Sequence, residues 1–261
     1  MRRRIAVASA VAAVAAGIVA APAAHAEGRG DIRVTRTVVN GGGNVIVGVK
    51  DVKRFTISMT VKDNSGVKKV SRVSAFNTAN GYGPVDYLGS TCKKSNKTTS
   101  VCTATMQVDP AWIDSYGSGN RGWDANAVAG EWQVNATVQA NDGDYWISDR
   151  IALFKVKRAA SLTTDATPEP VRKGATLTVT GKLSRANWTD RKYHGFTKQV
   201  VKLQYKKAGG SYSTVKTATT DSKGNLRATV KASAAGSWRW AFAGTTTTMK
   251  VDSTGDAVTL K

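Results

Sequence analysis

Short blocks of strict two-residue alternation, separated by turn formers, run through this chain, and after its first 26 residues no segment sustains a 3.6-residue period. Phe55, Ile57, Met59 and Val61 alternate with Thr56, Ser58, Thr60 and Lys62. Successive side chains of an extended strand point to opposite faces, so this block has one apolar and one polar face. Trp132, Val134, Ala136, Val138 and Ala140 repeat the pattern against Gln133, Asn135, Thr137 and Gln139. It returns at Leu177 with Val179, at Val201 with Leu203 and Tyr205, at Leu226 with Ala228 and Val230, and at Trp238 with Trp240 and Phe242. Turns are expected at Asp63-Asn64-Ser65-Gly66, Asp142-Gly143, Ala208-Gly209-Gly210 and Ser222-Lys223-Gly224-Asn225. Half-apolar strands in such number bury their faces by stacking sheet on sheet, so the pattern predicts an all-β chain of β-sandwiches. Gly130-Glu131-Trp132 and Gly236-Ser237-Trp238 each open an alternating block. Their likeness points to two similar sandwiches in tandem, each seating a large aromatic in its core.

The first 26 residues read differently. Basic Met1-Arg2-Arg3-Arg4 precedes an Ala/Val run from Ile5 to Ala21, and Ala24-His25-Ala26 follows. That is the pattern of a secretory signal cut before Glu27, and its apolar run is short and weakly apolar for a membrane span. Position 27 is not a lipid-accepting Cys, and Asp256 to Lys261 lacks an apolar tail or sorting motif. The expectation is a protein released to the cell exterior, monomeric and without a membrane anchor. The two domains are expected at 27–158 and 159–261, divided after Phe154-Lys155-Val156-Lys157-Arg158 and before a stretch carrying Pro168 and Pro170.

Charge is uneven between the halves. The whole chain has 38 Lys and Arg against 18 Asp and Glu. Residues 27–158 carry 18 basic and 12 acidic groups, whereas 159–261 carry 17 and 6. A surface of that sign attracts wall polymers, acidic polysaccharide or extracellular nucleic acid through screened Coulomb forces. Lys202, Lys206, Arg227, Lys231 and Arg239 lie on the polar faces of their strands and are the candidate polyanion-binding residues. No recognition helix and no aromatic platform interleave with these strands, so sequence-specific nucleic-acid binding is not expected.

Reactive groups are scarce. After the leader one His remains, His194, flanked by Arg191 and Lys192, and it reads as a surface residue. A Ser-His-Asp triad would rest on that single His, and His/Cys zinc chemistry lacks ligands. Cys92 and Cys102, which flank a polar segment in a chain expected to be exported, are predicted to form a disulfide across a hairpin. Asp109, Asp114 and Asp124 are candidates for acid–base work on a glycoside, but nothing in their spacing sets two of them at a productive separation. A non-catalytic protein is expected.

Several segments resemble a family of secreted actinomycete proteins built from tandem immunoglobulin-like domains. These are Val39-Asn40-Gly41-Gly42, Val61 to Val67, Ala140-Asn141-Asp142-Gly143-Asp144-Tyr145, Pro168-Glu169-Pro170-Val171, Thr178 to Trp188 and Phe242-Ala243-Gly244-Thr245. The resemblance spans nearly all of the chain after the leader. It implies an immunoglobulin-like fold, an extracellular address and no enzymatic activity. Members are often described as calcium-binding, without defined ligand residues.

Two further sets of residues are candidate sites. Asn141, Asp142 and Asp144 are expected to meet Asp63 and Asn64 at one end of the first sandwich, offering oxygens of the kind Ca2+ takes in sixes to eights. Asp-Gly and Asp-Asn-Ser-Gly are equally the turn formers that bond their own backbone. No other cofactor is expected. The long polar connections 77–86 and 109–128 carry Tyr82, Trp112, Tyr116 and Trp123. Aromatic faces there would stack on sugars or grip a secreted protein; alternatively Trp112 and Trp123 fold inward and plug the sandwich. The readings in order are a non-catalytic binding protein drawn to wall polyanions, then an inhibitor or accessory factor docking on an extracellular enzyme through these loops.

Overall fold

The computed structural model describes residues 26–117 and 124–261. The expected leader therefore lies outside the described residues up to Ala26, as does Trp123.

The first half is built from β1 (Ala26–Arg29), β2 (Arg33–Val39), β3 (Val45–Val47), β4 (Lys53–Lys62), β5 (Val67–Asn77), β6 (Asp86–Lys94) and β7 (Thr99–Val108). Helix α1 (Pro110–Gly117), β8 (Gly130–Ala140) and β9 (Tyr145–Arg158) complete it. One sheet runs β1-β9-β8-β5, with β3 also on β9, and the facing sheet runs β2-β4-β7-β6. Phe55, Ile57, Met59 and Val61 on β4 face Trp132, Val134, Ala136 and Val138 on β8 across a common core, and all are buried. Fully burying such side chains contributes roughly 1.5 to 3 kcal/mol each, which is why the alternating blocks determine the layers.

The second half contains β10 (Ala160–Leu162), β11 (Asp165–Thr167), β12 (Thr176–Asn187), β13 (Lys192–Gly195), β14 (Val200–Lys206) and β15 (Ser213–Thr219). It ends with β16 (Asn225–Lys231), β17 (Gly236–Phe242), β18 (Val251–Asp252) and β19 (Asp256–Val258). Strand β12 pairs with β10, β11, β13 and β16 in one sheet, and the other runs β15-β14-β17-β18 with β19 also on β17. Leu177, Val179 and Leu183 pack against Val201, Leu203, Trp238, Trp240 and Phe242. The all-β sandwich class read from the alternation is the fold, and Trp132 and Trp238 both sit in cores.

Two residues of the second half belong to the first core. Ala186 and Trp188, at and just beyond the end of β12, are fully buried among its residues. The Trp188 indole N–H donates to the Gly48 carbonyl at 3.0 Å, and its backbone N–H donates to the Asn126 side chain at 3.0 Å. Arg158, at the end of β9, is 7% exposed and donates through Nε to the Ala186 carbonyl at 2.5 Å. Burial, then the nearby Arg185, pushes its guanidinium down to about 10 against the opposing pull of Asp124, which leaves it charged at neutral pH. The Arg158 backbone bonds Thr247 and Met249 as well. The joint is thus hydrogen-bonded and apolar at once.

Candidate functional site

At one end of the first sandwich, the turn after β4 and the turn after β8 meet. The Asn141 N–H donates to the Gly66 carbonyl at 3.0 Å, its side-chain amide donates to the Ser65 carbonyl at 2.9 Å, and the Asp142 N–H donates to the Ser65 hydroxyl at 3.2 Å. Asn141 and Asp142 thus serve the turns, and Asn64 is exposed. Asp63 and Asp144 come together, and Asp31 joins them: carboxylate oxygens of the three lie within 4.8 Å of one another. Asp31 was not among the expected residues. It carries no turn signature, and it arrives because β1 pairs with β9 with Arg29 opposite Tyr145. Its N–H donates to Asp144 Oδ2 at 2.9 Å. Gly30, at φ +76°, lets the chain press against this carboxylate, since a Cβ there would stand 1.4 Å from Asp144 Oδ2.

The aromatic connections are more structured than their polarity suggested. Residues 110–117 form α1, with Pro110 in the first turn and Asp109 Oδ1 accepting from the Ala111 N–H at 2.9 Å. Ile113 of that helix is fully buried and Trp112 half-buried. Asp124 caps the 3-10 turn Ala125–Val128, accepting from the Asn126 N–H at 2.9 Å. Asp109 and Asp124 therefore each use one carboxylate oxygen as a helix cap. Tyr82 is half-buried and packs against the first core. The side chains of Asp114 and Tyr116 lie outside the described part, with Trp123. His194, on β13, is exposed and bonds Asp190 at 2.6 Å. Cys92 and Cys102 stand directly opposite on β6 and β7 and form the expected disulfide.

The basic residues fall on two faces. Lys202 and Lys206 on β14 and Arg239 on β17 share the outer face of the β15-β14-β17-β18 sheet, Arg239 lying opposite Gln204. Arg239 donates through Nε to Gln204 Oε1 at 2.8 Å and pairs with Asp252 at 3.0 Å. Its guanidinium lies 4.0 Å from the Tyr212 ring centroid, and the Lys206 ammonium 4.8 Å from the same ring. Tyr212 is an aromatic among the basic strands that sequence reading missed, because it sits ahead of β15 and outside any alternating block. A shallow pocket beside Lys202 is completed by Lys250 and Asp252. Arg227 and Lys231 lie on β16, in the other sheet, opposite Thr180 and Thr176. The structure therefore separates them from the other three.

No protein-family model and no curated protein matches the chain. Among solved structures it is similar to the D00-D0 domain of intimin, at 13% identity and a TM-score of 0.29, covering 85% of this chain and 99% of that one. It is also similar to the titin domains Z1Z2 in complex with telethonin, at 12% identity and 0.24, covering 88% and 96%. The full ectodomain Ig1–Ig3 of mouse nectin-like molecule 4 matches at 14% identity and 0.23, covering 87% and 63%. Likeness at these scores carries no argument about function. Among the described residues no helix is long and apolar enough to cross a membrane.

Proposed function

We propose that this chain is an exported, non-catalytic binding protein that engages phosphodiester wall polyanions through the outer face of the β15-β14-β17-β18 sheet. The observation that carries this reading is the gathering of Lys202, Lys206, Lys250 and Arg239 on and beside one sheet face, with Asp252 as the neighbouring acid. Cations spread along neighbouring strands suit an extended polymer, which meets several of them at once. The Tyr212 ring between Lys206 and Arg239 fixes where those two charges stand, so less side-chain freedom is lost when a phosphate arrives.

The test is titration of the full chain without residues 1–26 against a poly(glycerol phosphate) polymer over a range of sodium chloride concentrations, in the presence of a chelator. Each neutralised phosphate releases about one counterion, so log Kd should rise linearly with log salt at a slope of roughly one unit per contact. Binding that ignores salt, or that is equally strong to an uncharged polysaccharide, contradicts the proposal.

A further inference from the structure

Three carboxylates converge at the end of the first sandwich with no basic partner among the described residues, in a chain where basic groups outnumber acidic ones by 38 to 18. The ion pairs among the described residues are His194 with Asp190 and Arg239 with Asp252, and neither touches this cluster. Arg33, close by in sequence, sends its guanidinium to the carbonyls of Gly30 at 3.0 Å and Ile32 at 2.6 Å instead. Asp63 is the telling member. It is 3% exposed; its Oδ1 accepts from the Ser65 N–H at 2.8 Å and the Ser65 hydroxyl at 2.6 Å, and its Oδ2 is buried with no hydrogen-bond partner. A buried carboxylate oxygen without a donor, on a residue clustered with two further carboxylates, is costly unless a cation completes it.

We infer that Asp31, Asp63 and Asp144 form a divalent-cation site whose occupant is Ca2+. Two oxygens bound to one Ca2+ at about 2.4 Å stand at most about 4.8 Å apart, and the three carboxylate oxygens lie within 4.8 Å of one another. Mg2+ demands a near-ideal octahedron and keeps several waters, whereas Ca2+ accepts an irregular set of carboxylates. The donors are all oxygen, which disfavours zinc and copper. Three separate connections supply them: the one between β1 and β2, the turn after β4 and the turn after β8. Strand β4 belongs to one sheet and β8 to the other, so the ion ties the two sheets at that end. This inference is independent of the polyanion reading, because the two sites lie in different halves of the chain.

Titration calorimetry of the full chain without residues 1–26 with CaCl2, together with Tb3+ emission sensitised through Trp146, near Asp144 in sequence, tests it. One Ca2+ per chain is expected to bind and to raise the melting temperature above that in chelator. Asp31 is exposed, so Asp31→Asn keeps the fold while weakening Ca2+ binding by at least about tenfold through loss of a charged ligand. Asp86→Asn, an exposed substitution on β6 outside the cluster, should leave Ca2+ binding unchanged. In chelator, Asp63→Asn should melt above the wild type, since it removes the unpaired buried charge, and should no longer respond to Ca2+. Absence of both Ca2+ heat and Tb3+ emission, or an Asp31→Asn variant that binds Ca2+ as tightly as the wild type, overturns the site.

Discussion

Trp188 illustrates how much one side chain can hold. It is fully buried in the first core although it belongs to the second half of the chain, and its indole N–H reaches the Gly48 carbonyl 140 residues away. Trp188→Ala is expected to cost about 3 to 5 kcal/mol, read as a lower urea midpoint, because it removes the transfer energy and leaves a cavity. A loss below about 1 kcal/mol would mean the joint is not built on this residue. Nothing in its sequence neighbourhood, Asn187-Trp188-Thr189, distinguishes it from a surface loop, since its burial depends on the far side of the joint. Asp221 carries a smaller, pH-dependent share. Hydrogen bonds from the Asn225 and Lys223 N–H groups and from the Asn225 side chain hold its carboxyl below the ordinary value of 3.8, against slight desolvation. With the folded-state value depressed, the stabilisation is present above that ordinary value and is lost as pH falls through the lower folded value. The melting temperature of the wild type should therefore exceed that of Asp221→Ala near neutrality, and the difference should shrink as the medium is acidified into that range. A constant difference would assign the effect to the turn backbone alone.

Among elements, the β6–β7 hairpin is the clearest case where sequence sufficed. Polar residues between two cysteines, followed by an alternating run, announce it, and Cys92 stands opposite Cys102. Replacing both with Ser should lower stability by roughly 2 to 4 kcal/mol, measured by thermal melting with and without reductant. A wild type indifferent to reductant would contradict that. Helix α1 was less legible: eight residues give barely two turns of periodicity, and Asp109-Pro110, a good start signal, stood in a segment whose polarity reads as loop. The aromatic connections show a similar limit. Aromatics among Asn, Asp and Gly look like a binding loop on paper, yet Tyr82 packs on the core and Ile113 anchors the helix. The carboxylate cluster was half legible. Asp63 and Asp144 announce themselves through turn motifs, whereas Asp31 joins by strand pairing across 113 residues, which no local pattern encodes.

For the whole molecule, alternation determines which residues fill the two cores, but it does not say which strands share a sheet, and that decides the charge distribution. Lys202, Lys206, Arg227, Lys231 and Arg239 all read as outward-facing, and the topology sorts them into a set of three and a set of two on different sheets. The joint at Arg158 and Trp188 fixes the second half against the first through hydrogen bonds as well as packing. The most direct test of the account compares two charge-removal variants of the full chain, Lys202→Gln with Lys206→Gln and Lys250→Gln, against Arg227→Gln with Lys231→Gln. The account predicts that the first variant loses most of its affinity for poly(glycerol phosphate) and flattens the salt slope by about three units, while the second changes both slightly. Losses from the two variants in proportion to the three and two charges removed would show that net charge, not one sheet face, draws the polymer.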